Sequence, residues 1–307
     1  MSVHSRRPRL IHVAVLVVAG LVLAAVAVGA NVLGVADRID DVARRIELAI
    51  DPPPDRPIEE EMLVTARPVA PETPDVAPTP APTLGAGKSA PPATLAPTPV
   101  PERVAVDVDL YRDPEHHWIT ELDHEWCAVA GTQMVLAAHD RAPLTEAFQK
   151  ELAGRIGEWE SRRDSHNGGW GPAAIVAALE AYGVEGYEVR TYETRADALR
   201  DAARAIATYR APVVLLTWRG AHTWVMTGFQ ADADPLVFDD ARVVGAYILD
   251  PWYPRVSSIW GASDPPGTFQ DAAEMRRNYL PWKRPDGLYP KRDGRFLAIL
   301  PTRSIDQ

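Results

Sequence analysis

The chain has 307 residues, 46% of them hydrophobic, enough to bury a full core but too unevenly distributed for one globule. A net charge of −10 excludes the basic face that nucleic-acid binding needs, so no nucleic-acid partner is expected. A single cysteine excludes an intrachain disulfide framework and any multi-cysteine metal site. All nine tryptophans fall between Trp118 and Trp282, whereas 15 of the 29 prolines lie between Pro52 and Pro101. One folded domain of about two hundred residues, preceded by something else, is the natural division. The sequence contains no internal repeat.

Residues 1–9 are a short basic tail with Arg6, Arg7 and Arg9. From Leu10 to Val35 an apolar run is broken only by His12 and Asn31, and it is long enough to cross a bilayer as a helix. The length of this run predicts an uncleaved transmembrane anchor over 10–35. The alternative is a signal peptide cleaved near Ala30, after Val28-Gly29-Ala30, which gives a secreted protein. Arg38, Arg44 and Arg45 nearly balance the basic tail in the positive-inside count. The shortness of the tail keeps it inside and sets the remainder outside the cytoplasm, as a single-pass protein of the cell membrane.

Residues 36–51 read as an amphipathic stalk helix, with Ile39, Val42 and Ile46 at helical spacing and Asp51-Pro52-Pro53-Pro54 ending it. Residues 52–101 form a linker rich in Pro, Ala and Thr, as in Ala77-Pro78-Thr79-Pro80-Ala81-Pro82-Thr83. At about 3.1 Å per residue such a tether reaches roughly 150 Å from the membrane.

Globular composition runs over 102–307. Val104 to Leu110 alternates as a strand, and the segment after Cys127 reads as a buried helix. Leu144 to Trp159 is helical, with Leu144, Phe148, Leu152 and Ile156 four apart. The glycine-rich loop from Ser165 to Pro172 opens a helix over Ala173–Tyr182 that Gly183 closes. Tyr187–Tyr192 is a strand, Ala196–Tyr209 a helix and Ala211–Trp218 a buried strand. Strands follow over Gly220–Phe229, Ala246–Pro251 and Arg295–Leu300. Helices early and strands late define an α+β fold with a mostly antiparallel sheet.

Chemistry centres on Cys127. Ala128, Val129 and Ala130 follow it, which suits a buried helix whose first turn is partly open, and the field of the helix start favours a thiolate there. Taken alone, a lone cysteine fits a small core residue as well as a nucleophile. His222 starts one strand and Asp250 ends the next. If those strands pair antiparallel the two side chains meet, and a helix start packed on that edge sets the thiol against the imidazole. An imidazole then takes the thiol proton while the carboxylate orients the ring.

Trp126-Cys127-Ala128-Val129-Ala130, Gly220-Ala221-His222-Thr223-Trp224-Val225 and Leu249-Asp250-Pro251 resemble, in order and surroundings, papain-like cysteine peptidases. The branch they resemble is that of the bacteriocin-processing, double-glycine-leader peptidases, from about Val104 to Leu300. The resemblance implies a papain-like fold, with an N-terminal helical part packed on the sheet. It also implies Cys127 as nucleophile, His222 as general base, Asp250 as the residue orienting it, a peptide or protein substrate, and no cofactor. Two departures stand out. The family pattern has Cys-Gly-Pro where this chain has Cys127-Ala128-Val129. It also has a glutamine, which helps to bind the oxyanion, where this chain has Glu121. A carboxylate cannot donate that hydrogen bond, and loss of one such donor costs about 100- to 1000-fold in rate. Either Glu121 is protonated, or His124 or another donor replaces it, or catalysis is feeble or absent.

Trp126, Trp170, Trp224 and Trp252 neighbour these segments and are candidates for lining a substrate groove, with core packing as the alternative. Gly168, Gly169 and Trp170 are candidate rim contacts, or an ordinary helix-entry loop. Glu115-His116-His117 and Asp123-His124 lack metal-ligand spacing and read as solvent-facing, so no metal site is expected. The expected activity is hydrolysis of an amide bond through a thioester. The alternatives are a silent relative that binds peptide or cell-wall material, or a cell-wall amidase or acyl transferase, although the chain lacks an Asp-Cys-Ser signature.

Overall fold

The structure is a computed structural model that describes residues 46, 50, 52, 54–57, 62–64, 101–165, 169–283 and 287–304. The expected anchor over 10–35 lies outside the described residues. Among those described, no helix is long and apolar enough to cross a membrane. Of the expected stalk, Ile46 and Ile50 are described; both are helical and exposed.

The elements run β1 (Met62–Val64), β2 (Val106–Asp109), α1 (Cys127–Ala138), α2 (Glu146–Gly154) and α3 (Pro172–Ala181). Then come β3 (Tyr187–Tyr192), α4 (Arg195–Tyr209), β4 (Val213–Thr217), β5 (His222–Ala231) and β6 (Val243–Leu249). The chain ends with β7 (Val256–Ser257), β8 (Gly261–Ala262), β9 (Thr268–Asp271), α5 (Ala272–Asn278) and β10 (Phe296–Pro301). Local chemistry explains several starts. The Thr145 hydroxyl accepts the Phe148 N–H to open α2, and Thr194 accepts that of Asp197 to open α4. Pro172 stands in the first turn of α3, and Gly183 leaves that helix at φ +81°.

An eight-stranded sheet runs β1-β3-β10-β4-β5-β6-β9, with β2 also bonded to β5. Every pairing in it is antiparallel except β1 with β3. Met62–Val64, inside the stretch expected to be a plain tether, adds as a parallel strand to β3. None of the three is a proline, so each keeps the N–H that pairing at an open sheet edge requires. The β7–β8 hairpin, β9 and α5 were not expected from the sequence. They are too short for a hydrophobic period to show, and α5 starts because the Asp271 carboxylate accepts the N–H groups of Ala273 and Glu274.

The central strands are buried on both faces. Val214 and Leu216 of β4, with Leu297 and Ile299 of β10, join Val129, Val135, Leu152, Ile175 and Leu179 in one core. Val213, Leu215, Phe296, Ala298 and Leu300 point the other way, into a second core with Leu199, Ile206 and Met275. Helices thus cover the sheet on two faces: α1, α2 and α3 on one, α4 and α5 on the other. The sequence reading placed an N-terminal helical part on the sheet but did not assign its faces, because a continuous apolar run such as β4 does not say which residues face which layer.

The chain forms two compact units, Met1–Pro57 with Glu160–Gly169, and Ile58–Trp159 with Trp170–Gln307. The smaller is held by Arg163 Nε on Asp55 Oδ1 at 2.6 Å and by Ser161 Oγ donating to the Arg56 carbonyl at 2.7 Å. The larger contains the sheet and both cores.

Gly131 sets how closely α1 approaches β5. A Cβ built there would stand 2.8 Å from Cγ2 of Thr223, itself buried. Alanine normally stabilises a helix by about 1 kcal/mol over glycine, whereas overpacking costs about 1–3 kcal/mol. Overpacking less the helix gain leaves a net loss, so we predict that Gly131→Ala lowers stability by up to about 2 kcal/mol in urea denaturation. A variant more stable than the parent would contradict this packing.

Candidate active site

Cys127 is the first residue of α1, so its N–H lies outside the helical hydrogen-bond ladder. The turns behind it, Ala128 to Leu136, are buried throughout, and Gly131 seats them on β5. His222 is the first residue of β5. Val225 pairs with Leu249 in the antiparallel β5–β6 register, which brings Asp250 beside His222. The Nε2 of His222 lies 2.7 Å from Asp250 Oδ1, and both residues are buried. That oxygen also accepts the Trp252 N–H at 2.8 Å, and the Asp250 carbonyl accepts Trp118 Nε1–H at 2.8 Å. With Nε2 engaged, Nδ1 is the ring nitrogen left for the thiol, whose sulfur lies within 4.8 Å of the ring nitrogen nearest it. Sulfur, a His222 nitrogen and a Glu121 carboxylate oxygen all lie within 4.8 Å of one another.

Aromatic rings enclose the imidazole. Trp218 stacks on it at 4.0 Å between centroids and 20° between planes, and Trp252 presents an edge at 6.4 Å. Trp218, Arg219 and Gly220 have φ of 51°, 65° and 86°, all left-handed. For the two residues that carry a Cβ this conformation costs about 1–3 kcal/mol each. It is held by Trp218 Nε1–H donating to Asn278 Oδ1 at 3.0 Å. The turn lays the indole over the ring immediately before the strand begins.

Electrostatics sharpen the picture. Burial by itself disfavours the imidazolium, but the Asp250 carboxylate, its hydrogen bond and Cys127 outweigh it and raise His222 to about 10. Glu121 is 0% exposed. Burial raises its carboxyl to about 7, against the lowering pull of His222 and Arg255, while Asp250 and Asp123 add to the rise. Arg255 Nη1 donates to Glu121 Oε1 and Nη2 to the Glu121 carbonyl, each at 2.9 Å. The Glu121 N–H donates to the Pro251 carbonyl at 2.9 Å. Gln149 brackets the residue by accepting Leu122 N–H at 2.7 Å and donating to the Thr120 carbonyl at 3.0 Å. Oε2 of Glu121 is buried with no hydrogen-bond partner among the described residues.

Glu121, Cys127 and His222 also form the cluster of metal-ligand types found among the described residues. The histidines upstream lie apart from it. His116 pairs with Asp113 at 2.8 Å and His124 with Asp123 at 3.3 Å, all exposed, while His117 stacks on Tyr111 at 3.7 Å.

Of the expected groove residues, Trp126 flanks the thiol as the residue before α1, and Trp252 meets His222. Trp170 packs on Trp159 at 5.5 Å against the first core. Trp224 is 3% exposed inside the second core, because residues two apart on β5 share a face and its face looks away from α1. It packs the second core, on the face of the sheet away from α1. Gly169 belongs to the smaller unit, and Gly168 lies outside the described residues. Sequence reasoning missed Trp218, Arg255, Gln149 and Trp118.

The profile of the Peptidase_C39 like family matches residues 106–280, more than half of the chain, and spans Cys127, Glu121, His222 and Asp250. The chain belongs to that family. Among solved structures, a double glycine motif protease from an AMS/PCAT transporter, in complex with the leader peptide, is similar at 18% identity and a TM-score of 0.31. The match covers 60% of this chain and 91% of that one. No curated protein matches the sequence.

With the imidazolium held to about pH 10, Cys127 is expected to alkylate with iodoacetamide at about pH 6. His222→Ala is expected to slow this by about tenfold or more, and Asp250→Asn to slow it less. Equal rates in all three proteins, followed by mass spectrometry, would contradict the pairing.

Proposed function

We propose that this protein is a membrane-anchored cysteine peptidase that hydrolyses a peptide bond outside the cytoplasm. The observation that carries the reading is an imidazole clamped by Asp250 on Nε2, with the Cys127 sulfur within 4.8 Å of a nitrogen of the same ring. Family membership supports it. In this reading Nδ1 of His222 takes the thiol proton and sulfur attacks the carbonyl carbon. Collapse of the tetrahedral species breaks the C–N bond, and the imidazolium returns its proton to the leaving amine. Water, deprotonated by the neutral ring, then hydrolyses the thioester. Asp250 holds the ring throughout. The apolar run over 10–35 supports a tethered domain.

A second reading, a silent domain that binds peptide, is favoured by the ion pair of Glu121 with Arg255 at the face where the papain-like pattern has a donor. Hydrolysis of fluorescently labelled casein by the full-length chain in detergent separates the two. The peptidase reading expects Cys127→Ala to abolish turnover and His222→Ala to lower it by about 100- to 10,000-fold. Casein that binds but is never cut favours the silent domain. Turnover that survives Cys127→Ala removes the peptidase reading.

A further inference from the structure

Around the thiol and imidazole, two buried polar atoms are uncommitted among the described residues, Glu121 Oε2 and the Nε1 of Trp252. Oε2 of Glu121 has no partner among the described residues, although its side chain is 0% exposed. Its neighbours are engaged. Oε1 accepts from Arg255, the backbone N–H donates to the Pro251 carbonyl, and Asp250 Oδ1 holds His222 and the Trp252 N–H. The segment is also fixed from both sides by Gln149, so the carboxyl has little freedom to turn elsewhere. Attack by sulfur on a carbonyl places negative charge on an oxygen beside the sulfur. Two contacts of about 2.7 Å span up to about 5.4 Å. Cys127 Sγ and a Glu121 oxygen lie within 4.8 Å of each other, inside that span, so the carboxyl stands beside the place where the charge develops. An ionised carboxylate there would repel it, whereas a neutral carboxyl offers a donor.

We propose that Glu121 is a catalytic residue in its protonated form, its Oε2–H donating the hydrogen bond that stabilises the oxyanion. The proposal rests on the peptidase reading and adds a limit on pH to it. Because Oε1 accepts the guanidinium hydrogen bond, the proton belongs on Oε2. No proton leaves Glu121 in the step; the thiol proton travels by way of His222 to the leaving group. The groups that face the carboxyl are His222 of β5, Arg255 beyond β6, Asp250 at the end of β6, Asp123 on its own loop and Cys127 of α1. The first two favour the charged carboxylate and the two aspartates oppose it. Burial is the largest influence and brings the carboxyl to about 7, well below the loss of the imidazolium at about 10. Rate therefore falls as pH rises past about 7, while the thiol–imidazole pair is still intact.

The test is the pH dependence of kcat/KM for p-nitrophenyl acetate, from about pH 5 to 9, with the full-length protein, Glu121→Gln and Arg255→Gln. The parent rate should fall about tenfold per pH unit above the Glu121 midpoint. Glu121→Gln keeps a donor that does not titrate, so it should hold its rate and exceed the parent by about 100-fold near pH 9. Arg255→Gln removes a charge that favours ionisation, so its fall should move to higher pH. Superimposable profiles for the parent and Glu121→Gln, or a Glu121→Gln variant slower at every pH, would overturn the proposal. Absence of ester hydrolysis in all three also overturns it, even if Cys127 alkylates rapidly near pH 6. A thiol that fails to alkylate at all overturns the peptidase reading beneath it.

Discussion

The 2.7 Å bond between His222 Nε2 and Asp250 Oδ1 joins the start of β5 to the residue that follows β6, and both partners are buried. Neither group is tolerable there alone. A buried carboxylate without a partner is costly, and removing one member of a buried pair costs about 3–5 kcal/mol. The bond is thus a constraint on the fold as well as on the chemistry. It forms only if β5 and β6 keep the register that opposes Val225 to Leu249. A slip of one residue would turn His222 away and leave the aspartate stranded.

Around that bond the protein is built to exclude water. Trp218 lies flat on the imidazole and Trp252 edges it, in a setting where electrostatic interactions are stronger than in solvent. Placing Trp218 there requires left-handed backbone at two residues that carry side chains, Trp218 and Arg219. Strain of this kind persists where the surrounding contacts over-determine it, here the Asn278 hydrogen bond and the stack with Trp260 at 5.8 Å. Glu121 is held by an equally dense set of bonds with Arg255, Pro251 and Gln149. The thiol lies within 4.8 Å of a His222 nitrogen and a Glu121 oxygen, at the first turn of a helix that Gly131 allows close to the sheet.

Much of this was legible beforehand, and the reason is strand periodicity. β3 falls where alternation placed it, over Tyr187–Tyr192, and the starts and ends of β5 and β6 lie within a few residues of expectation. Antiparallel pairing of those two strands then suffices to bring His222 to Asp250. What escaped was of two kinds. Short elements such as β9 and α5 depend on a cap or a register rather than on a period. Contacts such as Arg255 on Glu121 join residues 134 apart through loops whose course no local pattern fixes. Trp224 shows the same limit from inside a well-read strand. Its position on β5 was clear, but the face it serves depends on which helices cover which side of the sheet.

The central claim is that His222 carries the proton shared with Cys127 while Asp250 fixes the ring. The most direct measurement is nitrogen NMR of the ring with labelled histidine in the full-length protein at about pH 8. The account predicts an imidazolium with both nitrogens protonated, because the ring is raised to about 10, and a fall in its midpoint in Cys127→Ala. A ring that is neutral at that pH, titrating near the ordinary histidine value of about 6.5, would contradict it.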